Sequence, residues 1–372
     1  DFYQFATGGW QKANPLPAAY SRFGSFDQLQ EDNNKRINAI LSELLKKNYK
    51  AGTTEYKLSE FYKQAMDSVR RNEEGVRPVM PILNEMEAAK TLADLRKVQL
   101  NHPVAGYGIP LGYGFGADEK NAKMNILQIS QGGLTLGLKE YYLDNDAATK
   151  TIRDAYKQHI VKMFKLFGFD EAAATAKRDA IMRFETSVAL ISKNRTELRD
   201  VEANYNKTTL EAFKTDYPNI PLEEMANAEG IKSEYLKDIV VGQPTFLAGV
   251  DKLLSVLNAD DLRAIMEWDA ILSAASYLSD DIQAANFEFF GKVMRGRQED
   301  YPRWERATNQ VESQMGEALG KMYCERYFPA SSKKRMEQLV KNLQIALGER
   351  IKAQDWMSDE TKQLSLIHIS EP

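Results

Sequence analysis

The chain has 372 residues, 43% of them hydrophobic and 27% charged, a composition typical of folded proteins and unlike that of disordered ones. Its 49 Lys and Arg against 53 Asp and Glu give a formal net charge of −4, which argues against nucleic acid as a partner, because phosphate binding needs a basic excess. The length fits two or three domains of ordinary size or one large helical body.

The single cysteine, Cys324, excludes an internal disulfide, so the fold must be stabilised by packing alone in either an oxidising or a reducing compartment. It has no neighbouring histidine and is predicted to be a buried structural residue. No segment approaches the roughly 20 uninterrupted apolar residues of a membrane span. The chain starts at Asp1 with neither an initiator Met nor a leader peptide, and we therefore expect it to be part of a longer protein.

Helical periodicity dominates the chain, with apolar residues recurring three and four positions apart. Thr91 followed by Asp94 is a capping signal that predicts a short helix ending before Pro103. The other clear apolar stripes lie at residues 37–45, 58–69, 152–167, 172–190 and 304–327.

One glycine-rich segment, about residues 109–130, breaks this pattern. Apolar and aromatic residues such as Tyr113 and Phe115 alternate there with glycines, and the polar stretch 118–121 is a reversal signal before a second apolar run. The glycines are interpreted as serving close backbone packing or bulges and not ligand binding. We therefore predict a mainly α fold, in which a large helical domain over residues 1–363 carries an inserted β-hairpin.

The sequence contains no recognisable catalytic or metal-binding motif. None of His102, His159 and His368 has a second histidine one helical turn away, so the His-Glu-x-x-His zinc helix is missing. Each histidine is interpreted as a surface or hydrogen-bonded core residue. The segment 112–117 formally fits a loose dinucleotide fingerprint, but no apolar helix follows it, and we reject that interpretation. No catalytic residue and no metal ligand are predicted in this chain.

Several short segments, in a fixed order along the chain, resemble the neprilysin and endothelin-converting-enzyme family of zinc metallopeptidases, especially its bacterial members. The matching segments are Asp1-Phe2-Tyr3-Gln4-Phe5-Ala6-x-Gly8-Gly9-Trp10, Ser21-Arg22-Phe23-Gly24-Ser25-Phe26, Gly137-Leu138-x-Glu140-Tyr141-Tyr142-Leu143, Val241-Gly242-Gln243-Pro244, Arg303-Trp304, Met315-Gly316-x-Ala318-Leu319-Gly320 and Trp356-Met357-Ser358-Asp359. The resemblance spans nearly the whole chain.

This resemblance implies that the chain is the N-terminal helical part of such an enzyme, which caps a thermolysin-like catalytic domain and encloses oligopeptide substrates. The family's zinc ligands lie in that C-terminal domain, so the resemblance implies zinc in the full-length enzyme and none in this chain. The chain alone is predicted to be inactive. The missing catalytic domain is the implied partner, and the implied location is extracytoplasmic, in a bacterial periplasm or at a cell surface.

Two residues match positions that contact substrate in the family. The resemblance implies that Arg22 binds the free C-terminal carboxylate of a peptide, a task that suits a planar guanidinium because it forms two parallel charge-assisted hydrogen bonds. It implies that Phe26 helps to line the pocket beside that carboxylate. Gln30 departs from a second arginine found in some animal members. From sequence physics alone, a surface ion-pair partner is the favoured interpretation of Arg22.

One alternative function stays open. A helical binding or scaffolding protein without a catalytic half would show the same periodicity, and a reading frame continuing into His-Glu-x-x-His would separate the two.

Residues 364–372 do not continue the amphipathic pattern before them, and we expect a non-native tail there that is poorly ordered or packed opportunistically.

Overall fold

The computed structural model describes residues 1–368 and shows a mainly α-helical chain, as the periodicity predicts. In this part of the chain helices α1 to α9 are Phe2–Ala13, Ser25–Leu44, Thr54–Met66, Ser68–Glu74, Met80–Ala88, Leu92–Asn101, Glu140–Leu143, Ala147–Leu166 and Glu171–Ile191. Helices α10 to α17 are Leu210–Asp216, Leu222–Ala228, Pro244–Val256, Ala259–Ala274, Asp280–Asn286, Arg303–Tyr327, Ala330–Lys352 and Asp359–His368. Short 3-10 turns lie at Pro103–Ala105, Glu197–Arg199, Ser233–Leu236 and Ala275–Tyr277.

The predicted hairpin is confirmed, and it belongs to a larger sheet. Strands β1 Leu111–Asp118 and β2 Asn121–Gln131 pair antiparallel, and the Lys120 amide donates to Asp118 Oδ1 at 3.0 Å in the reversal between them. Two further strands, β3 Asn206–Thr209 and β4 Asp238–Val241, complete a four-stranded sheet of order β1-β2-β4-β3. Strand β4 is parallel to β2 and antiparallel to β3.

The one predicted helix cap is confirmed, and other helices begin in the same way. Thr91 Oγ1 accepts from the Asp94 amide at 3.1 Å, as the capping signal requires. Asp146 and Asp170 cap α8 and α9 in the same way, and each such cap stabilises a helix by about 1 kcal/mol. Gly168 follows α8 with φ +94°, a left-handed conformation that favours glycine and ends the helix.

The chain forms two compact units, each with its own core. Unit 1 contains Asp1–Arg22 and Ser68–Asp300, and unit 2 contains Phe23–Asp67 and the segment from Tyr301 onward. Among the helices of residues 1–368, none is both long and apolar enough to cross a lipid bilayer.

Unit 1 is built around α8, α9 and α13. Trp268 of α13 is 1% exposed, and its indole N–H donates to the Tyr156 hydroxyl at 2.9 Å. Phe164 stacks on the same indole, with ring centroids 5.9 Å apart. A π-helix, Phe287–Val293, follows α14 and presents further aromatic rings to this core. A Cβ at Gly291 would lie 2.1 Å from the Phe287 ring, so a larger residue there would have to displace that ring.

Unit 2 is a packing of α2, α3 and α15. Its core side chains are Ile37, Ile40, Leu41, Leu44, Leu58, Tyr62, Ala65, Ala307, Val311 and Leu319. The predicted stripe at 37–45 therefore faces this core as far as Leu44, whereas Leu45 is 43% exposed. In contrast, α16 has no buried residue although it is 23 residues long.

Two sequence predictions are wrong. Cys324 is exposed, because α15 buries no residue beyond Leu319 and the cysteine lies on its solvent side. Val69 does not extend the stripe that begins at Leu58. The backbone leaves the helical conformation at Asp67, with φ −77° and ψ 83°, so Val69 falls in the next helix and is 69% exposed.

The predicted tail, residues 364–372, lies only partly within the described chain. Helix α17 runs on through residues 364–368, with Leu364 and Ile367 more than half exposed. Residues 369–372 lie outside the described residues. A non-native origin of this segment stays a prediction.

Candidate functional site

Arg22 lies at the end of a loop that unit 1 holds in place. The amides of Gln298 and Glu299 donate to the Ala18 carbonyl at 2.9 and 3.1 Å. The guanidinium of the buried Arg297 donates to the Ala19 carbonyl at 2.8 Å. This loop therefore has a defined path up to Arg22, although it contains no helix or strand.

The Arg22 side chain itself is exposed. It makes no hydrogen bond or ion pair with another residue of the described chain 1–368. Its guanidinium can therefore form a bidentate pair with an incoming carboxylate without first breaking an internal contact.

Phe26 lies in the first turn of α2, in unit 2. This helix starts at Gly24, whose amide donates to Asp27 Oδ2 at 2.8 Å and so closes the first turn. Phe26 is 85% exposed, and Leu29, one turn further, is 58% exposed. An aromatic ring this exposed is a candidate for contact with another molecule. Gln30 is exposed on the same helix, next along the face that carries Phe26.

Arg22 is the last residue of the first segment of unit 1, whereas Phe26 belongs to unit 2. The structure therefore places the two predicted substrate contacts in different units, with three residues between them in the sequence. Both are available at the surface of their own unit.

His159 is a core residue, but not the hydrogen-bonded one that was predicted, because its Nε2 is buried with no partner among the described residues. It is 4% exposed, and its ring stacks on Phe289 with centroids 5.1 Å apart. Burial lowers the pKa of His159 to about 3, and the nearby Lys162 lowers it further in the same direction. The imidazole is therefore neutral at physiological pH. His102 is a partly exposed partner of Glu85, with Nε2 2.9 Å from the carboxylate. The side chain of His368 lies outside the described structure.

The described residues do not form a metal site. No group of three or more His, Cys, Asp or Glu side chains within residues 1–368 is arranged to hold a metal ion.

Sequence reasoning missed two carboxylates that line a single cavity in unit 1. Glu185 of α9 is 4% exposed and accepts hydrogen bonds from three hydroxyl groups. The donors are Thr135 at 2.5 Å, Tyr142 at 2.9 Å and Tyr156 at 3.1 Å. Asp269 of α13 accepts from the Gly108 amide at 2.7 Å.

Both carboxylates have strongly raised pKa values. Burial raises the pKa of Glu185 to about 7, against the opposing effect of its three hydroxyl partners, and the negative charge of Asp269 adds to the increase. Burial likewise raises the pKa of Asp269 to about 7. The signal in the sequence was an acidic residue inside an apolar helical stripe, as at Glu185 between Ile181 and Val188.

Comparison with known proteins decides the family. The N-terminal sequence model of peptidase family M13 matches residues 1–368. The chain belongs to peptidase family M13. This confirms the resemblance to the neprilysin and endothelin-converting-enzyme family, and specifically to the N-terminal part of its members.

Relatives from two species agree with this assignment. Endothelin-converting enzyme 1 of Rattus norvegicus is 29% identical over 376 residues, which cover 98% of this chain and 48% of that protein. The human enzyme is 28% identical over the same share of both chains. The present chain thus spans about half the length of these relatives.

Solved structures show the same fold. The zinc metalloprotease Zmp1 of Mycobacterium tuberculosis, in complex with an inhibitor, superposes with a TM-score of 0.92 at 26% identity, covering 99% of this chain and 56% of that chain. PepO from Lactobacillus rhamnosis superposes with a TM-score of 0.85 at 22% identity, which supports the fold alone. The superposition covers all of this chain and 58% of the PepO chain.

Proposed function

We propose that this chain is the N-terminal, substrate-enclosing portion of a zinc metallopeptidase that hydrolyses oligopeptides. The observation that carries the proposal is the family match over residues 1–368 in a chain that covers only 48% of the rat enzyme. On this proposal the zinc ligands lie in a C-terminal domain outside this sequence, and the chain alone has no peptidase activity. The location proposed for the whole enzyme is extracytoplasmic.

The contribution proposed for this chain is substrate binding through Arg22 and Phe26. Arg22 has an exposed guanidinium on an anchored loop, which supports a role in binding the C-terminal carboxylate of a peptide. Phe26 has an exposed ring at the start of a helix, which supports an apolar contact with a peptide side chain. Together they would favour peptides with a free C-terminus.

The partner proposed for the chain is the C-terminal domain, and α16 is the surface that supports it. Five apolar residues lie on one face of α16, at 48–61% exposure each. They are Met336, Leu339, Val340, Leu343 and Leu347. An apolar helical face of this length is ordinarily covered by another element.

The test compares the chain alone with the product of the complete reading frame. Zinc content by mass spectrometry and hydrolysis of a fluorogenic oligopeptide are measured on both proteins. We expect stoichiometric zinc and chelator-sensitive hydrolysis only in the longer protein, whose sequence should contain His-Glu-x-x-His. Chelator-sensitive hydrolysis by residues 1–372 alone would refute the proposal, as would a natural stop codon at the end of this chain.

A further inference from the structure

The cavity that contains Glu185 and Asp269 has the size and walls of a ligand site. Its volume is about 440 Å³, within the range of pockets that hold small organic molecules. Side chains of α9 and α13 supply apolar lining, and residues of the segment 105–110 also line the cavity. The apolar lining residues are Ile181, Phe184, Ile265, Trp268 and Leu272.

The charges of this cavity are unbalanced. Glu185 is bonded to hydroxyl groups only, and Asp269 is bonded to a backbone amide only. Within residues 1–368 neither carboxylate has a Lys, Arg or His partner. Buried carboxylates are ordinarily paired with a cation or protonated, because an isolated buried charge is costly. With its carboxylates ionised, a cavity that has two of them and no cation is complementary to a positively charged ligand.

The arrangement favours an organic cation over a metal ion. The described residues offer no third carboxylate, His or Cys at this place to complete a metal site. The hydroxyl groups of Thr135, Tyr142 and Tyr156 already occupy Glu185, whereas Asp269 uses only Oδ2 for Gly108. Asp269 thus retains an oxygen for direct contact, while Glu185 contributes negative potential at short range.

We propose that this cavity binds a small organic ammonium ion with an apolar body. The ammonium group donates to the open oxygen of Asp269 and is attracted by Glu185, and the apolar body lies against the side chains of α9 and α13. All the groups involved belong to unit 1, and Arg22 and Phe26 are not among them. The ligand class is thus distinct from the peptide carboxylate proposed for Arg22.

The test is isothermal titration of the full 372-residue chain at pH 8, where both carboxylates are largely ionised. The probes are 2-phenylethylammonium and the neutral 2-phenylethanol, which share the same apolar body. We expect one ammonium ion to bind per chain at least tenfold more tightly than the alcohol. Asp269→Asn should weaken ammonium binding at least tenfold and leave alcohol binding unchanged, since the amide oxygen can still accept from Gly108.

Asp154→Asn, which changes an exposed aspartate of α8, is the matched control and should bind the ammonium ion like the wild type. Near-ultraviolet circular dichroism checks that each variant keeps its packed core. Failure of the wild type to bind the ammonium ion would overturn the inference, as would equal affinity for the two probes. Unchanged ammonium binding by a folded Asp269→Asn protein would also overturn it. The comparison of the two probes on the wild type does not depend on any variant folding.

Discussion

Arg22 is the residue on which the proposed substrate contact most directly depends. In the complete enzyme, Arg22→Gln should lower kcat/KM for peptides with a free C-terminus by on the order of 10- to 100-fold, the worth of a charge-assisted hydrogen-bond pair. The same substitution should barely affect peptides whose C-terminus is amidated. Steady-state kinetics with matched acid and amide peptides measure both effects.

The control for this prediction is Arg195→Gln, which removes another exposed arginine of unit 1. It should leave both peptides unaffected. An equal loss on the acid and amide peptides after Arg22→Gln would contradict carboxylate binding and point to a structural role.

Glu185 should make the stability of unit 1 depend on pH. Its pKa rises from 4.5 to about 7 on folding, so between these values the folded state binds a proton that the unfolded state has lost. Stability from this group is therefore fully present below pH 4.5 and falls as pH rises, by about 1.4 kcal/mol per pH unit. Glu185→Gln removes this dependence, although it loses part of the hydrogen bonding to the hydroxyl groups.

The measurement is urea unfolding of wild type and Glu185→Gln at pH 5 and pH 8. The free energy of unfolding of the wild type minus that of Glu185→Gln should be lower at pH 8 than at pH 5. Glu202→Gln, at an exposed glutamate, should show the wild-type pH dependence. A gap between wild type and Glu185→Gln that stays constant with pH would show that Glu185 is ionised in the folded protein at both values.

Helix α16 is the element whose exposed apolar face most clearly calls for a packing partner. Its apolar face is exposed, so the chain alone should self-associate through it at concentrations used for structural work. Leu343→Lys should shift the chain towards monomer in analytical ultracentrifugation, whereas Lys341→Glu on the opposite face should not. A chain that is monomeric without substitution would contradict this expectation.

The strands show which elements were readable from sequence. The β1–β2 hairpin was predictable because its alternation and its reversal at Asp118 are local. Strands β3 and β4 have four residues each and were not predicted. They are strands because Val240 and its neighbours pair with β2 and β3, which lie far away in the sequence, and four residues carry too little pattern to indicate this.

At the scale of the whole molecule, the core of unit 1 comes from one continuous stretch of chain. Its buried core residues all lie between Val79 and Phe289. The fragment 68–300 should therefore fold on its own and unfold cooperatively in urea. Trp268 is the only tryptophan in this fragment, so its fluorescence reports directly on the core.

The counterpart fragment from residue 301 onward should not fold alone. The core of unit 2 needs α2 and α3, which precede unit 1's main segment in the chain, as well as α15. Circular dichroism and tryptophan fluorescence of both fragments test this contrast. A solvent-exposed Trp268 in fragment 68–300 would show that the core depends on the rest of the chain.

Local patterns in the amino-acid order were sufficient for the most strongly periodic helices, one helix cap, the hairpin and the family, because each rests on residues close together in sequence or on short ordered motifs. Long-range packing decided the rest. It placed Glu185 and Asp269 in one cavity and left Cys324 in solvent. It also divided the chain into two units whose segments alternate along the sequence. Burial of a side chain depends on which distant segments pack against it, and no local period contains that information.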